Sequence, residues 1–178
     1  TFNGDAMTLA PGTERGIDGD NNITAIFYML EADLPSAGTY TVTVSTQSSG
    51  DTGGCAVSLE NVKQAGPEAV ATAAIATGGD LNLSCDITTL TNGACVIDVI
   101  DCGDKTSFTA DNGVPSPPMP PPTPLPTTQY EIYDDTPGSS TVAGSVRIVP
   151  TAGVVTNGWT SGDDRRRCMS VAAFAPAP

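Results

Sequence analysis

Apolar and polar residues alternate along much of the chain. In Thr39–Ser45 (TYTVTVS), Tyr40, Val42 and Val44 share one face and Thr39, Thr41 and Thr43 the other, the period-2 signature of a half-buried strand. Cys55, Val57 and Leu59 alternate with Ala56 and Ser58, and Leu81, Leu83, Cys85 and Ile87 alternate with Asn82, Ser84, Asp86 and Thr88. Ala94–Ile100 (ACVIDVI) is apolar on both faces apart from Asp98, which predicts a central strand covered from both sides, opened by the turn Asn92-Gly93. Further strands are expected at Thr24–Leu30, Tyr130–Tyr133, Val142–Val149, Val154–Trp159 and Met169–Phe174. Glu68–Ala76 tolerates helix through its alanines, but Val70 and Thr72 fit a strand, and its neighbours favour one.

Regular short strands separated by turn residues predict an all-β chain, a two-sheet antiparallel β-sandwich of jelly-roll or immunoglobulin-like type. A length of 178 residues supports one full core, so residues 1–178 read as a single domain. The 19 glycines and 15 prolines agree with many turns. Residues 111–128, containing VPSPPMPPPTPLP, differ: consecutive prolines remove backbone donors and favour polyproline II, so this stretch reads as a stiff inserted loop and a contact point for a neighbouring subunit.

Charge narrows the partners. Twenty acidic residues against seven basic ones give a net charge of −13, which repels nucleic acid and anionic lipid. The single basic cluster, Arg165–Arg167, follows Asp163-Asp164 and reads as a locally neutralised surface hairpin. No apolar run approaches the roughly 20 residues of a membrane-spanning helix, so membrane insertion is not expected. The opening Thr1–Gly4 reads as a strand entering a turn, as though the chain continued a longer gene product.

Candidate chemistry is sparse. Absence of histidine removes imidazole bases and imidazole metal ligands. Glu14, Glu31, Glu60, Glu68 and Glu131 could supply a glycosidase pair, but no spacing selects two of them, and each reads as a solvated surface carboxylate. The chain is therefore expected not to be an enzyme, and no cofactor is required. Asp18-x-Asp20-x-Asn22 copies the first ligand positions of an EF-hand calcium loop, but Ile23 stands where glycine is needed and Met29 where a bidentate glutamate is needed. Asp18, Asp20 and Asn22 thus read mainly as a polar turn, with a non-EF calcium site as the minor alternative. Cys55, Cys85, Cys95, Cys102 and Cys168 lack zinc-type spacing; they are free buried thiols or contribute one or two disulfides, with Cys85 and Cys95 flanking an expected hairpin. Trp159, Tyr130 and Tyr133 are the candidate stacking platforms for a sugar, although Trp159 fits a core position better.

The order FNGDAMT at residues 2–8, IFYML at 26–30, AGTYTVTV at 37–44, VSLENVKQ at 57–64, then Trp159-Thr160, Arg165-Arg166 and VAAFAP at 171–176 resembles a family of β-sandwich modules found in secreted bacterial surface proteins and tailed-bacteriophage structural proteins. The resemblance spans nearly the whole chain and rests on strand and turn patterns, not on reactive residues. It implies a β-sandwich in an extracellular or virion-surface setting, with the chain's own copies or other structural subunits as partners. Family modules carry a strand or two ahead of the FNG motif, which implies strands outside this sequence or supplied by a neighbour. The expected function is a non-enzymatic structural or display module, a virion decoration or fibre protein or the subunit of an extracellular filament; the alternative is a carbohydrate-binding adhesion module whose partners are cell-surface glycans.

Overall fold

The structure, a computed structural model, describes residues 1–17, 22–45, 51–76, 80–110, 113–114 and 123–178. Residues 1–65 form a thin layer with four very short strands: β1 (Thr8–Leu9), β2 (Arg15–Gly16), β3 (Ile23–Thr24) and β4 (Phe27–Tyr28), paired β1 with β4 and β2 with β3. The rest is built from β5 (Ala69–Ile75), β6 (Asn82–Thr88), β7 (Ala94–Cys102), β8 (Phe108–Ala110), β9 (Gly113–Val114), β10 (Gln129–Asp135), β11 (Thr141–Val149), β12 (Val154–Ser161) and β13 (Arg167–Phe174).

These strands make the predicted sandwich. One sheet has the order β5-β13-β7-β11-β10-β9 and the other β6-β12-β8. All ladders are antiparallel except that of β9, which lies parallel to β10 inside the stretch expected to be a plain loop. The proline-rich residues 115–122 lie outside the described residues. Leu125 packs on the domain, and Pro126 accepts a 2.8 Å bond from the Ile148 amide.

Alternation decides what each face meets. Val96, Ile100 and Cys102 of β7 point at the small sheet, where they pack with Met169, Val171 and Ala173 of β13 and Leu83, Cys85, Ile87 and Trp159 opposite. The reverse face of β7 and β13 carries Cys95, Ile97, Asp101, Cys168, Ser170, Ala172 and Phe174, placed by the register Cys95↔Phe174 and Asp101↔Cys168. Every residue of β13 is buried, because the N-terminal layer covers this reverse face. The expectation of a doubly covered strand at Ala94–Ile100 is met.

The N-terminal predictions fare differently. Thr24–Leu30 divides into β3 and β4, which pair with different partners. Cys55–Leu59 forms no strand, although Val57 and Leu59 pack against Cys95, Tyr130, Ile132 and Val146. Thr39–Ser45 keeps an extended course, but its ladder is reduced to one bridge, Phe2↔Val42, and Val42 and Val44 remain 40% and 64% exposed.

Candidate functional site

The largest polar assembly lies between the two sheets. Asp98 on β7 faces Ser145 of β11, and Ser145 in turn faces Glu131 of β10, so three polar side chains form one row across the sheet. From the small sheet, Asn157 and Trp159 of β12 point into the same space. Asp98 Oδ2 accepts hydrogen bonds from Ser145 Oγ at 2.5 Å, Asn157 Nδ2 at 2.5 Å and Gln129 Nε2 at 3.4 Å, and Oδ1 accepts from Trp159 Nε1 at 3.0 Å. Gln129 Oε1 takes the Gly158 amide at 3.1 Å, and Arg147 Nη1 donates to Asn157 Oδ1 and to the Thr156 carbonyl.

Both carboxylates are sealed: Asp98 is 2% and Glu131 1% exposed. Burial pushes the Asp98 carboxyl up to about 6, against the opposing pull of the Ser145, Asn157 and Trp159 donors. A raised carboxyl in a cleft is a mark of acid–base sites. Here the oxygens are occupied by donors from both sheets, and the group lies in a closed core; this chemistry clamps one sheet to the other. Glu131 is the correction to the surface-carboxylate expectation. Its place on β10, facing inward beside Ser145, follows from a register the sequence does not show.

A second polar group fastens the N-terminal layer to the reverse face. Asn22, 3% exposed, donates through Nδ2 to Asp101 Oδ2 at 2.6 Å and accepts from Arg166 Nε through Oδ1 at 2.6 Å. Burial raises the Asp101 carboxyl, while Asn22 and Arg166 act in the opposite direction. Gly103 permits this approach, since a Cβ there would stand 2.7 Å from Asn22 Oδ1 and 2.9 Å from Arg166 Nε. Thr24 Oγ1 and Ser170 Oγ share a bond of 2.7 Å, and Ser170 Oγ also donates to the Thr13 carbonyl.

Asn22 is therefore a buried tether. Its side-chain oxygen faces a guanidinium, which opposes its use as a cation ligand; Asp18 and Asp20 lie outside the described residues. Among the described residues no group of three His, Cys, Asp or Glu side chains is placed to hold a metal. The basic triplet divides. Arg165 stays on the surface, with Asp104 at 3.2 Å and Asp163 at 3.8 Å. Arg167 is fully buried, contrary to the hairpin expectation, and donates to the carbonyls of Leu81, Asp163 and Asp80.

All five cysteines are free thiols, and sheet geometry separates those that lie on strands. Cys85 and Cys95 do not flank a hairpin: they belong to different sheets, Cys85 facing the core and Cys95 facing away from it. Cys168 stands opposite Asp101 and Cys102 opposite Arg167, so these two thiols point to opposite faces of one sheet. Burial pushes Cys85 up to about 11 and Cys95 and Cys168 up to about 12, which keeps them as inert thiols. Cys55 is exposed.

The aromatic candidates do not form a platform. Trp159 is 0% exposed, stacked edge-on against Phe108 at 5.9 Å and bonded to Asp98. Tyr130 is buried in the reverse-face cluster. Tyr133 is half-buried; its hydroxyl accepts from the Gly54 amide at 3.1 Å and donates to Asp135 Oδ2 at 3.2 Å.

Among the described residues, large apolar side chains are exposed at Ile23, Phe27, Leu34, Leu81, Leu90 and Val154, and at Val42 and Val44 of the ribbon of residues 1–3 and 39–45. The ribbon differs from the rest in pairing exposed valines with an extended chain whose side chains carry no charge. In comparisons with known proteins, the chain matches no family model, no curated protein and no solved structure.

Proposed function

We propose that the chain is a non-enzymatic structural or display module on an exterior surface, either a virion decoration or fibre module or the subunit of an extracellular filament. The observation that carries this reading is the ribbon 1–3/39–45, an extended strand with exposed Val42 and Val44. Monomers ordinarily blunt such edges with charge, proline or a covering loop, whereas assembling subunits use them. Three further features agree. The acidic surface favours solubility outside a partner complex, the polar groups of the core act in holding layers together, and the ordered strand motifs resemble surface and virion modules.

A sugar-binding role draws less support, because Trp159 and Tyr130 are inside the domain and the Tyr133 hydroxyl is engaged. Immunogold electron microscopy of the native source tests the proposal. Gold on assembled particles or filaments is the expected result; recovery of the chain solely as a free monomer overturns it. Glycan binding on an array that is lost in Tyr133→Ala would favour adhesion instead.

A further inference from the structure

The ribbon has a used edge and an open one. Asn3 N donates to Thr41 O at 2.9 Å, Thr43 N to Thr1 O at 2.9 Å, and Thr1 N to Thr43 O at 2.7 Å. Thr41 and Thr43 thus turn their peptide groups toward residues 1–3. Successive residues of an extended strand address opposite edges, so Tyr40, Val42 and Val44 present their N–H and C=O groups on the other side. Among the described residues, no backbone hydrogen bond satisfies them. Side chains of the same three residues share a face with Phe2, whose ring centroid lies 5.6 Å from that of Tyr40.

We propose that this open edge pairs with the same edge of a second copy, the two 39–45 strands running antiparallel about a two-fold axis at Val42. The proposal rests on the assembly reading above and names its partner. Register favours self-pairing. With Val42 opposite Val42 of the second copy, Tyr40 falls opposite its Val44 and Val44 opposite its Tyr40. Each of these pairs has its peptide groups on the open edge and exchanges two hydrogen bonds. The pairs are also aromatic with β-branched and β-branched with β-branched, the combinations that stabilise antiparallel neighbours. The result is a four-stranded ribbon with Phe2, Tyr40, Val42 and Val44 of both copies on one apolar face.

Charge selects the same partner. From Leu34 to Gly50 the sequence contains no charged residue, in a chain of net charge −13. Two copies meeting at this strip keep their carboxylates apart, whereas contact over most of the remaining surface sets like charges together. A basic partner would be drawn to that acidic surface and would gain nothing from the neutral strand.

The test is sedimentation equilibrium of the purified chain from micromolar to millimolar concentration at physiological salt. The expected result is a concentration-dependent dimer. Val42→Pro removes a donor that bonds nothing among the described residues and weakens the dimer by about tenfold or more. Val42→Lys and Val42→Asp, each monomeric alone because like charges face one another, associate when mixed, which a merely misfolded variant would not do. A wild type that stays monomeric throughout, or a dimer that all three variants leave unchanged, overturns the proposal. A monomer that immunogold nonetheless places on a particle overturns the self-pairing and leaves the display reading standing.

Discussion

Residues 69–174 and residues 1–65 use the same kinds of residue but hold themselves together differently. The first region is stitched by long ladders: β7 pairs with β11 from Ala94↔Val149 to Cys102↔Thr141, and with β13 along its other edge. The second has ladders of two residues and is fastened to the sheet by side chains, Asn22 to Asp101 and Thr24 to Ser170. A long ladder fixes every side chain's face at once, so one inward polar residue, Asp98, can be met by donors from several strands. A layer held by polar tethers and scattered apolar contacts such as those of Val57 and Leu59 fixes those points and leaves stretches such as 39–45 outside the packed interior. The contrast implies a graded response to mutation, steepest between the sheets.

The largest effect is expected at Trp159. Trp159→Ala empties a fully buried aromatic site and strips Asp98 Oδ1 of its donor, a loss of about 3–5 kcal/mol that urea denaturation will register as a large fall in midpoint. Trp159→Phe keeps most of the volume and removes the N–H, so about 1–3 kcal/mol is expected. A Trp159→Phe variant as stable as the wild type would show that the bond to Asp98 contributes nothing; equal losses in the two variants would assign the whole effect to that bond and none to the ring's volume.

The pH dependence of the same cluster comes next. The Asp98 carboxyl is raised to about 6 in the fold from 3.8. Its folded form therefore holds a proton that the unfolded chain has released between those values. Stability contributed by this group is highest below pH 4, declines as pH rises toward 6, and then levels, a change of up to about 3 kcal/mol. Asp101 and Asp134 are shifted upward as well, and Asp51 downward, so the contribution of Asp98 is read as the difference between wild type and Asp98→Asn. That difference should change with pH only in the window between about 4 and 6; a constant difference from pH 3 to 8 would refute the assignment.

Much of the sandwich is legible in the sequence because alternation reports burial directly. Leu83, Cys85 and Ile87 declare one face, and the apolar run around Asp98 declares two. Asp98 was itself a signal, since a lone carboxylate in a doubly buried strand requires donors. Its partners were not legible. Gln129, Ser145, Asn157 and Arg147 look like ordinary polar residues of their strands until register brings them together from three of them. Glu131 and Arg167 misled for the same reason, their burial depending on where neighbouring strands stop and not on local composition. Thr39–Ser45 is the converse case: perfect alternation marks a strand fit for a half-buried face, and nothing in the pattern says whether its own domain supplies the cover.

The tethers test the boundary between the two regions. Asn22→Ala deletes the link between Asp101 and Arg166 beneath the N-terminal layer, leaving a buried carboxyl without its amide donor. A loss of about 1–2 kcal/mol is expected, smaller than at Trp159. The informative measurement is limited proteolysis: cleavage within residues 1–65 should accelerate while the 69–174 sandwich persists as a resistant fragment. Simultaneous loss of both regions would mean that the layer and the sandwich unfold as one unit.

The smallest effect separates an exposed valine from a buried one. Val44→Thr replaces one methyl by hydroxyl at a 64% exposed position whose backbone bonds nothing among the described residues, so monomer stability should change by no more than about 0.5 kcal/mol. Val171→Thr makes the identical replacement at 0% exposure, between Asp98 and Ala71, where a new hydroxyl must find a partner or remain unsatisfied; about 1–3 kcal/mol is expected. Because the chemistry is the same at both sites, the ratio of the two losses measures how far cover, and not residue type, distinguishes the regions. Equal losses, measured at a concentration where the chain is monomeric, would mean that Val44 is already covered within a single copy and that its strand has no free face to offer.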